Sequence, residues 1–277
     1  MRQRLGIRWE VLERDYLLSW VLAGIAAVPE LRRTLVFKGG TALKKCYFGD
    51  YRFSEDLDFS GREDAPAGEA MEDLMDRACA SAQEMLAEYA DVELACSRYV
   101  ERNPHPDGQE AFRIRARLPW HRALVTPVKV EVTMDEPILW PVVQREVMHE
   151  YGEPLRAEVL TYSLEEVVTE KLRAILQQTD RLERRGWSRT RARDFYDLWS
   201  VLGAYLEELD LTDFAHRLHE KCRLRDVNFA GTEDFFDPRV VANVQLEWER
   251  SLGPLVPGLP AFETVVDELR SQIAALL

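Results

Sequence analysis

Apolar and polar positions alternate over short stretches in the first half of the chain and recur at helical spacing in the second. Residues 10–33 have apolar positions throughout and few breakers before Pro29, which predicts a helix running into a short loop. Thr34–Phe37 (TLVF) has strand character and is followed at once by Gly39-Gly40 and then TALKKCYF, a predicted helix. Leu57 and Phe59 alternate with Asp56 and Asp58, the pattern of a half-buried strand. A polar turn at 61–68 leads into a long helix over roughly 68–90. Three strands follow at 92–100, 110–118 and 127–134, with ERNPHPDGQ as the loop between the first two. The composition shifts near residue 160, where Ser163-x-x-Glu166 is a capping-box signature opening a helical region. The expected organisation is an α/β lobe over 1–158 and a helical lobe over 159–277, without internal repeats.

Composition narrows the class. The chain has 277 residues, 46% hydrophobic and 31% charged, enough for a full core. Its longest apolar candidate, Leu17–Val28, is too short to span a bilayer, and the N-terminus lacks a signal-peptide apolar region. Four cysteines without any CxxC weigh against disulfides or a zinc knuckle, and the expected compartment is a reducing cytoplasm. The net charge of −13 argues against broad nonspecific binding of nucleic acid but leaves room for a local basic patch. Six lysines stand against thirty arginines, and Lys38, Lys44, Lys45, Lys129 and Lys171 fall in the segments that carry candidate chemistry. A retained lysine can mark a site that needs a compact ammonium.

Asp56 and Asp58 sit at i and i+2 on the predicted strand, so both carboxylates face one side. Alone they repel; a divalent cation removes the conflict, and hard oxygen ligands suit Mg²⁺ or Mn²⁺. A solvated loop is the plain alternative. Gly39-Gly40-Thr41 joins a strand to a helix start, where backbone N–H groups can meet an anion and glycine allows close approach. A tight turn would use the same glycines. In PVKVEVTM, Val128, Val130 and Val132 form one face and Lys129, Glu131 and Thr133 the other, so Glu131 is the acid of a polar strand face, or an ordinary exposed glutamate.

The helical half adds Asp194 and Asp197 at i, i+3 on one face. A lysine from the preceding helix could bridge them, contact a phosphate, or do both. Arg181–Arg193 (RLERRGWSRTRAR) holds six arginines against one glutamate and reads either as a solvated loop or as a contact for an RNA backbone, with Trp187 able to stack on a base. His216, His219 and Cys222 share helical spacing but lack a fourth zinc ligand or a standard pattern.

These residues carry a resemblance. The glycine pair, the Asp56-x-Asp58 strand and a later strand acid resemble the nucleotidyltransferase fold shared with DNA polymerase β. More narrowly, FKGGTALKKCYF…RFSEDLDFS, SLEEVVTEKLRAIL and RARDFYDLWSVL resemble the AbiEii/AbiGii toxin family, including the MenT-type toxins. The likeness runs from about residue 10 to the C-terminal helices, and 61–125 carries no signature.

The resemblance implies an α/β (α+β) polymerase-β-like mixed sheet with flanking helices, followed by a mostly helical C-terminal lobe. It implies that Lys38, Gly39, Gly40 and Thr41 cradle a nucleoside triphosphate, with Arg52, Ser54, Lys129 and Asp197 beside it. Asp56 and Asp58 would hold Mg²⁺, and these two with Glu131, Lys171 and Asp194 would form the catalytic set. Arg184, Arg185, Arg189, Arg191 and Arg193 would contact RNA. The implied activity is Mg²⁺-dependent transfer of a nucleotide to the 3′ end of tRNA by a toxin restrained by an antitoxin. Transfer to a protein or small molecule, or a non-catalytic nucleotide-binding role, are the alternatives.

Overall fold

The computed structural model describes residues 7–100, 108–185 and 190–277, with Arg185 described by its backbone. Contacts divide the chain into two compact units, Met1–Tyr162 and Ser163–Leu277.

The first unit is built on one mixed sheet. Its elements in order are α1 (Trp9–Ala27), α2 (Pro29–Thr34), β1 (Leu35–Lys38), α3 (Gly39–Leu43), a π-helical turn (Lys44–Phe48), β2 (Asp56–Gly61), α4 (Glu69–Leu86), β3 (Glu93–Arg98), β4 (Gln109–Arg117), β5 (Thr126–Thr133), β6 (Val143–Glu146) and β7 (Glu158–Thr161). The strand order is β3-β4-β5-β2-β1-β7-β6. β2 runs antiparallel to β1 and parallel to β5. One face of the sheet is apolar: Leu57, Phe59, Phe112, Ile114, Val128, Val130 and Val132 pack with Leu18, Val21, Leu22 and Ile25 of α1 and Met71, Met75 and Ala78 of α4. Burial of that face fixes strand register, because a one-residue slip would turn every apolar side chain outward.

The observed elements depart from the expected ones where local chemistry was subtle. Pro29 begins α2 instead of a loop, since its missing N–H costs nothing at a helix start. Thr34 closes α2 by donating its hydroxyl to the Glu30 carbonyl at 2.8 Å, so β1 starts one residue later than expected. The expected helix over 68–90 ends at Leu86. Strands β6 and β7 were not anticipated; each has only four residues, and β6 is an edge strand with a mostly exposed, polar sequence. Residues 101–107 of the expected loop lie outside the described residues.

The second unit is helical: α5 (Leu164–Arg185), α6 (Ala192–Tyr205), α7 (Phe214–Arg223), α8 (Pro238–Leu252) and α9 (Phe262–Leu276), with short 3-10 turns at Leu206–Glu208 and Thr232–Phe236. Its core follows helical spacing: Val168, Leu172 and Ile175; Phe195, Leu198 and Leu202; Val240, Val244 and Trp248; Val265, Leu269 and Ile273 are all buried. Ser163 caps α5, its hydroxyl accepting the Glu166 N–H at 3.4 Å. The Glu166 carboxylate takes the Lys221 ammonium at 2.6 Å, with both side chains fully buried. Among the described residues no helix is long and apolar enough to cross a membrane.

Candidate active site

The chain leaves β1 at Lys38 and turns into α3 at Gly39, whose φ of +78° is a conformation that side-chain-bearing residues rarely adopt. A Cβ there would lie 2.6 Å from Oδ2 of Asp58. Glycine is therefore required twice over: for the backbone conformation and for the approach of the carboxylate. A Cβ on Gly40 would lie 2.1 Å from Nη2 of Arg52, so the guanidinium covers the second glycine. Arg52 is itself 3% exposed, and its Nη1 donates to the Phe53 carbonyl at 3.3 Å.

Thr41 is fully buried and donates its hydroxyl to the Asp56 carbonyl at 2.5 Å. That bond ties the first turn of α3 to the start of β2. Its contribution is to hold the glycine turn against the acids.

Ladder register gathers the rest. Lys38 of β1 pairs with Asp58 of β2, and Asp58 pairs with Glu131 of β5. Lys38, Asp58 and Glu131 therefore form one row across three strands on the polar face. Asp56 pairs with Lys129 in the next row, and the Lys129 ammonium bonds Glu131 at 2.7 Å. Lys38 is 7% exposed, 3.4 Å from the Thr133 hydroxyl and 5.6 Å from the centroid of the Tyr162 ring. Ser54 is buried in the segment leading into β2. Glu55 just precedes β2 and forms an ion pair with Arg14 of α1.

Asp56 and Asp58 offer hard oxygen donors on one face of β2, and this donor set fits Mg²⁺. Among the described residues no group of three or more His, Cys, Asp or Glu could hold a metal by itself. A cation on the two carboxylates would complete its shell from substrate phosphates and water, the usual manner of Mg²⁺.

Lys44 and Lys45, flagged by sequence, turn inward. Lys44 bonds the Gly49 carbonyl at 2.9 Å and Glu150 at 2.8 Å. Lys45 pairs with Asp15 at 2.8 Å, both nearly inaccessible, and Tyr151 donates to the same Asp15 oxygen at 2.9 Å. Burial pulls the Lys45 pKa down, against the pull of Asp15. These groups anchor the π-helical turn that continues α3, so they support the glycine turn from behind. The sequence signal for Asp15 was an acid at the edge of the apolar run that begins at Leu17.

In the second unit, Lys171 of α5 bonds Asp194 at 2.9 Å and Asp197 at 2.7 Å on α6, and Arg191 bonds Asp194 at 3.2 Å. Asp197 is fully buried, which gives it the task of holding Lys171. Burial pushes the Asp194 carboxyl up, but the charges of Lys171 and Arg191 and the Lys171 hydrogen bond outweigh it and hold the group below the usual aspartate range. Because the folded pKa lies below the unfolded one, Asp194 stabilises the fold above the ordinary value of 3.8, and this is lost as pH falls through the folded value. Asp194→Asn is expected to lower stability in urea melts near neutral pH by about 1–3 kcal/mol, with the penalty shrinking below about pH 4. A penalty unchanged at low pH would contradict this.

Of the five arginines expected at RNA, Arg184 pairs with Asp180 at 2.8 Å and Arg191 with Asp194, while Arg193 is partly buried. Arg189, Trp187 and the side chain of Arg185 lie outside the described residues. His219 stacks on Phe229 with centroids 4.0 Å apart, and burial pushes the Cys222 thiol up to about 11.

Residues 20–268 match the family described as nucleotidyl transferase AbiEii toxin, type IV TA system. The chain belongs to the AbiEii family. It is thus a nucleotidyltransferase toxin of a type IV toxin–antitoxin system, an enzyme with a nucleoside triphosphate substrate and an antitoxin partner. No curated protein matches the AbiEii chain by sequence. The family match spans both units, so it takes in the Gly39-Gly40 turn, the row of Lys38, Asp58 and Glu131, and the Lys171–Asp194 pair.

Proposed function

We propose that this AbiEii toxin transfers a nucleotide from a nucleoside triphosphate to RNA, with the 3′ end of tRNA as the acceptor, in a Mg²⁺-dependent reaction in the cytoplasm. The observation that carries this reading is the packing of the Asp58 carboxylate against Gly39, where a Cβ would lie 2.6 Å from Oδ2, which puts an acid beside the glycine turn. The triphosphate binds the Gly39-Gly40 turn through backbone N–H groups, with Lys38 and Arg52 countering its charge. Asp56 and Asp58 would hold Mg²⁺, which would supply electrostatic stabilisation of the phosphate oxygens.

The acceptor 3′ hydroxyl attacks the α-phosphorus, the new P–O bond forms, and the bond to pyrophosphate breaks. Glu131, beside Asp58 in the ladder, takes the hydroxyl proton, and Lys129 orients its carboxylate. In the helical unit Lys171, held by Asp194 and Asp197, is a compact point charge suited to a phosphate.

The test is incubation of the protein with Mg²⁺, total tRNA and each α-labelled nucleoside triphosphate in turn. Label is expected at the 3′ end of RNA for at least one nucleotide. Label in protein or in small molecules, found by mass spectrometry of a treated lysate, with none in RNA, would replace the acceptor in this reading.

A further inference from the structure

The polar face of the sheet does not end at Glu131. Strand order puts β1 and its glycine turn on one side of β2, and β5, β4 and β3 on the other. A triphosphate on the glycine turn leaves the β5 side for the acceptor. Register defines what lies there. Asp56 pairs with Lys129, Lys129 with Arg113 of β4, and Arg113 with Ser97 of β3, one row across four strands. Arg115 pairs with Pro127 on the same face and is exposed. Tyr99 extends β3, its N–H donating to the Ala111 carbonyl at 2.8 Å. The Arg113 guanidinium lies 4.3 Å from the centroid of the Tyr99 ring and the Lys129 ammonium 5.2 Å from it. The opposite face of the same strands is the buried apolar core, so these side chains are committed to this side.

The row therefore joins an acid of the metal pair to two cations within two strand spacings, about 10 Å from Asp56 to Arg113, with the Tyr99 ring beside those cations on the next strand. That is the chemistry of a single-stranded nucleic-acid surface: phosphates take the cations, and bases stack on the ring or on the guanidinium plane. The setting strengthens the case, because a chain of net charge −13 repels polyanions elsewhere and must supply attraction locally. Neighbouring Arg117 is drawn off by Glu93 at 2.9 Å, which confines the cationic surface to the rows beside the acids.

We propose that Tyr99, Arg113 and Arg115 form the seat for the single-stranded 3′ end of the RNA acceptor. A base next to the reacting nucleotide stacks on the Tyr99–Arg113 platform, and its phosphates lie on Arg113 and Arg115. This rests on the acceptor being RNA and adds where it binds.

The experiment is fluorescence anisotropy of the full chain with a labelled short single-stranded RNA and no nucleoside triphosphate present, alongside binding of a fluorescent nucleoside triphosphate. Tyr99→Ala is expected to weaken RNA binding about tenfold and Tyr99→Phe to preserve it. Arg113→Ala and Arg115→Ala are expected to weaken it several-fold and to flatten its salt dependence. Triphosphate affinity should stay within about twofold throughout, the tolerance set by one screened surface charge. Arg115 is exposed, so its substitution tests the seat without a folding penalty.

Wild-type and variant proteins binding RNA equally, or a wild type that binds none, would overturn the proposal. So would loss of triphosphate affinity in place of RNA affinity, since the ring would then serve the incoming nucleotide. Loss of affinity for an acidic peptide with RNA binding intact would overturn it as well. Transfer chemistry is read separately: a wild type that binds RNA in this variant-sensitive way but labels none refutes the transfer reading and leaves the seat standing.

Discussion

Asp58→Asn is expected to lower nucleotide transfer about a thousandfold while leaving the fold intact. Asparagine keeps the shape that rests against Gly39, so the turn and the β1–β2–β5 ladder retain their packing. What disappears is the charge. An amide in the row between Lys38 and Glu131 no longer neutralises a cation and directs N–H hydrogens toward it, so phosphate charge in the transition state loses its main support. Steady-state transfer assays and thermal melts on the same preparation separate chemistry from folding. Glu55→Gln is the matched control: Glu55 lies outside the row and pairs with Arg14 in a half-buried pair, so activity within about threefold of wild type is expected there, with a stability change of about 1 kcal/mol. Comparable losses in both variants would mean that the acids act only through the general charge of the segment.

Glu166→Ala is expected to destabilise the helical unit by about 3–5 kcal/mol. The carboxylate and the Lys221 ammonium are 2.6 Å apart with no exposed surface on either side chain, so the single substitution removes a counter-charge from a buried cation between α5 and α7. The midpoint of thermal unfolding should fall by about 10 °C. Replacing both residues together with apolar side chains of similar size should recover most of the loss, because the pair's attraction mainly offsets its own desolvation. Scanning calorimetry of the two variants decides it, and a single variant within about 1 kcal/mol of wild type would be incompatible with this burial.

The sequence made the polar strand faces readable for a physical reason. Alternation along Asp56–Phe59 and Val128–Thr133 has a period of two only if one face is buried, and the valines and Phe59 are buried in the sheet core. Gly39 was legible as a close-approach position, but not what approaches it; that required the register bringing Asp58 opposite Lys38. The inward roles of Lys44, Lys45 and Thr41 were hidden, because a helix written TALKKCYF does not reveal that its lysines face Glu150 and Asp15. The short strands β6 and β7 were hidden for another reason. Four residues each, with one apolar position in β6 and two adjacent ones in β7, give no periodic signal, and the strands reach the sheet through the pairing of β7 with β1. Asp194 and Asp197 drew attention through helical spacing and Lys171 through the family resemblance, yet Lys171 is shared between the two carboxylates, which neither signal specifies.

The most direct measurement is a structure of the protein with Mg²⁺ and a non-hydrolysable nucleoside triphosphate. The expected result is a cation bridging carboxylate oxygens of Asp56 and Asp58 to phosphate oxygens, with the triphosphate on the Gly39-Gly40 turn beneath Arg52 and the α-phosphorus open toward Glu131. A triphosphate bound away from that turn, or a metal coordinated without Asp56 and Asp58, would contradict the assignment of this site.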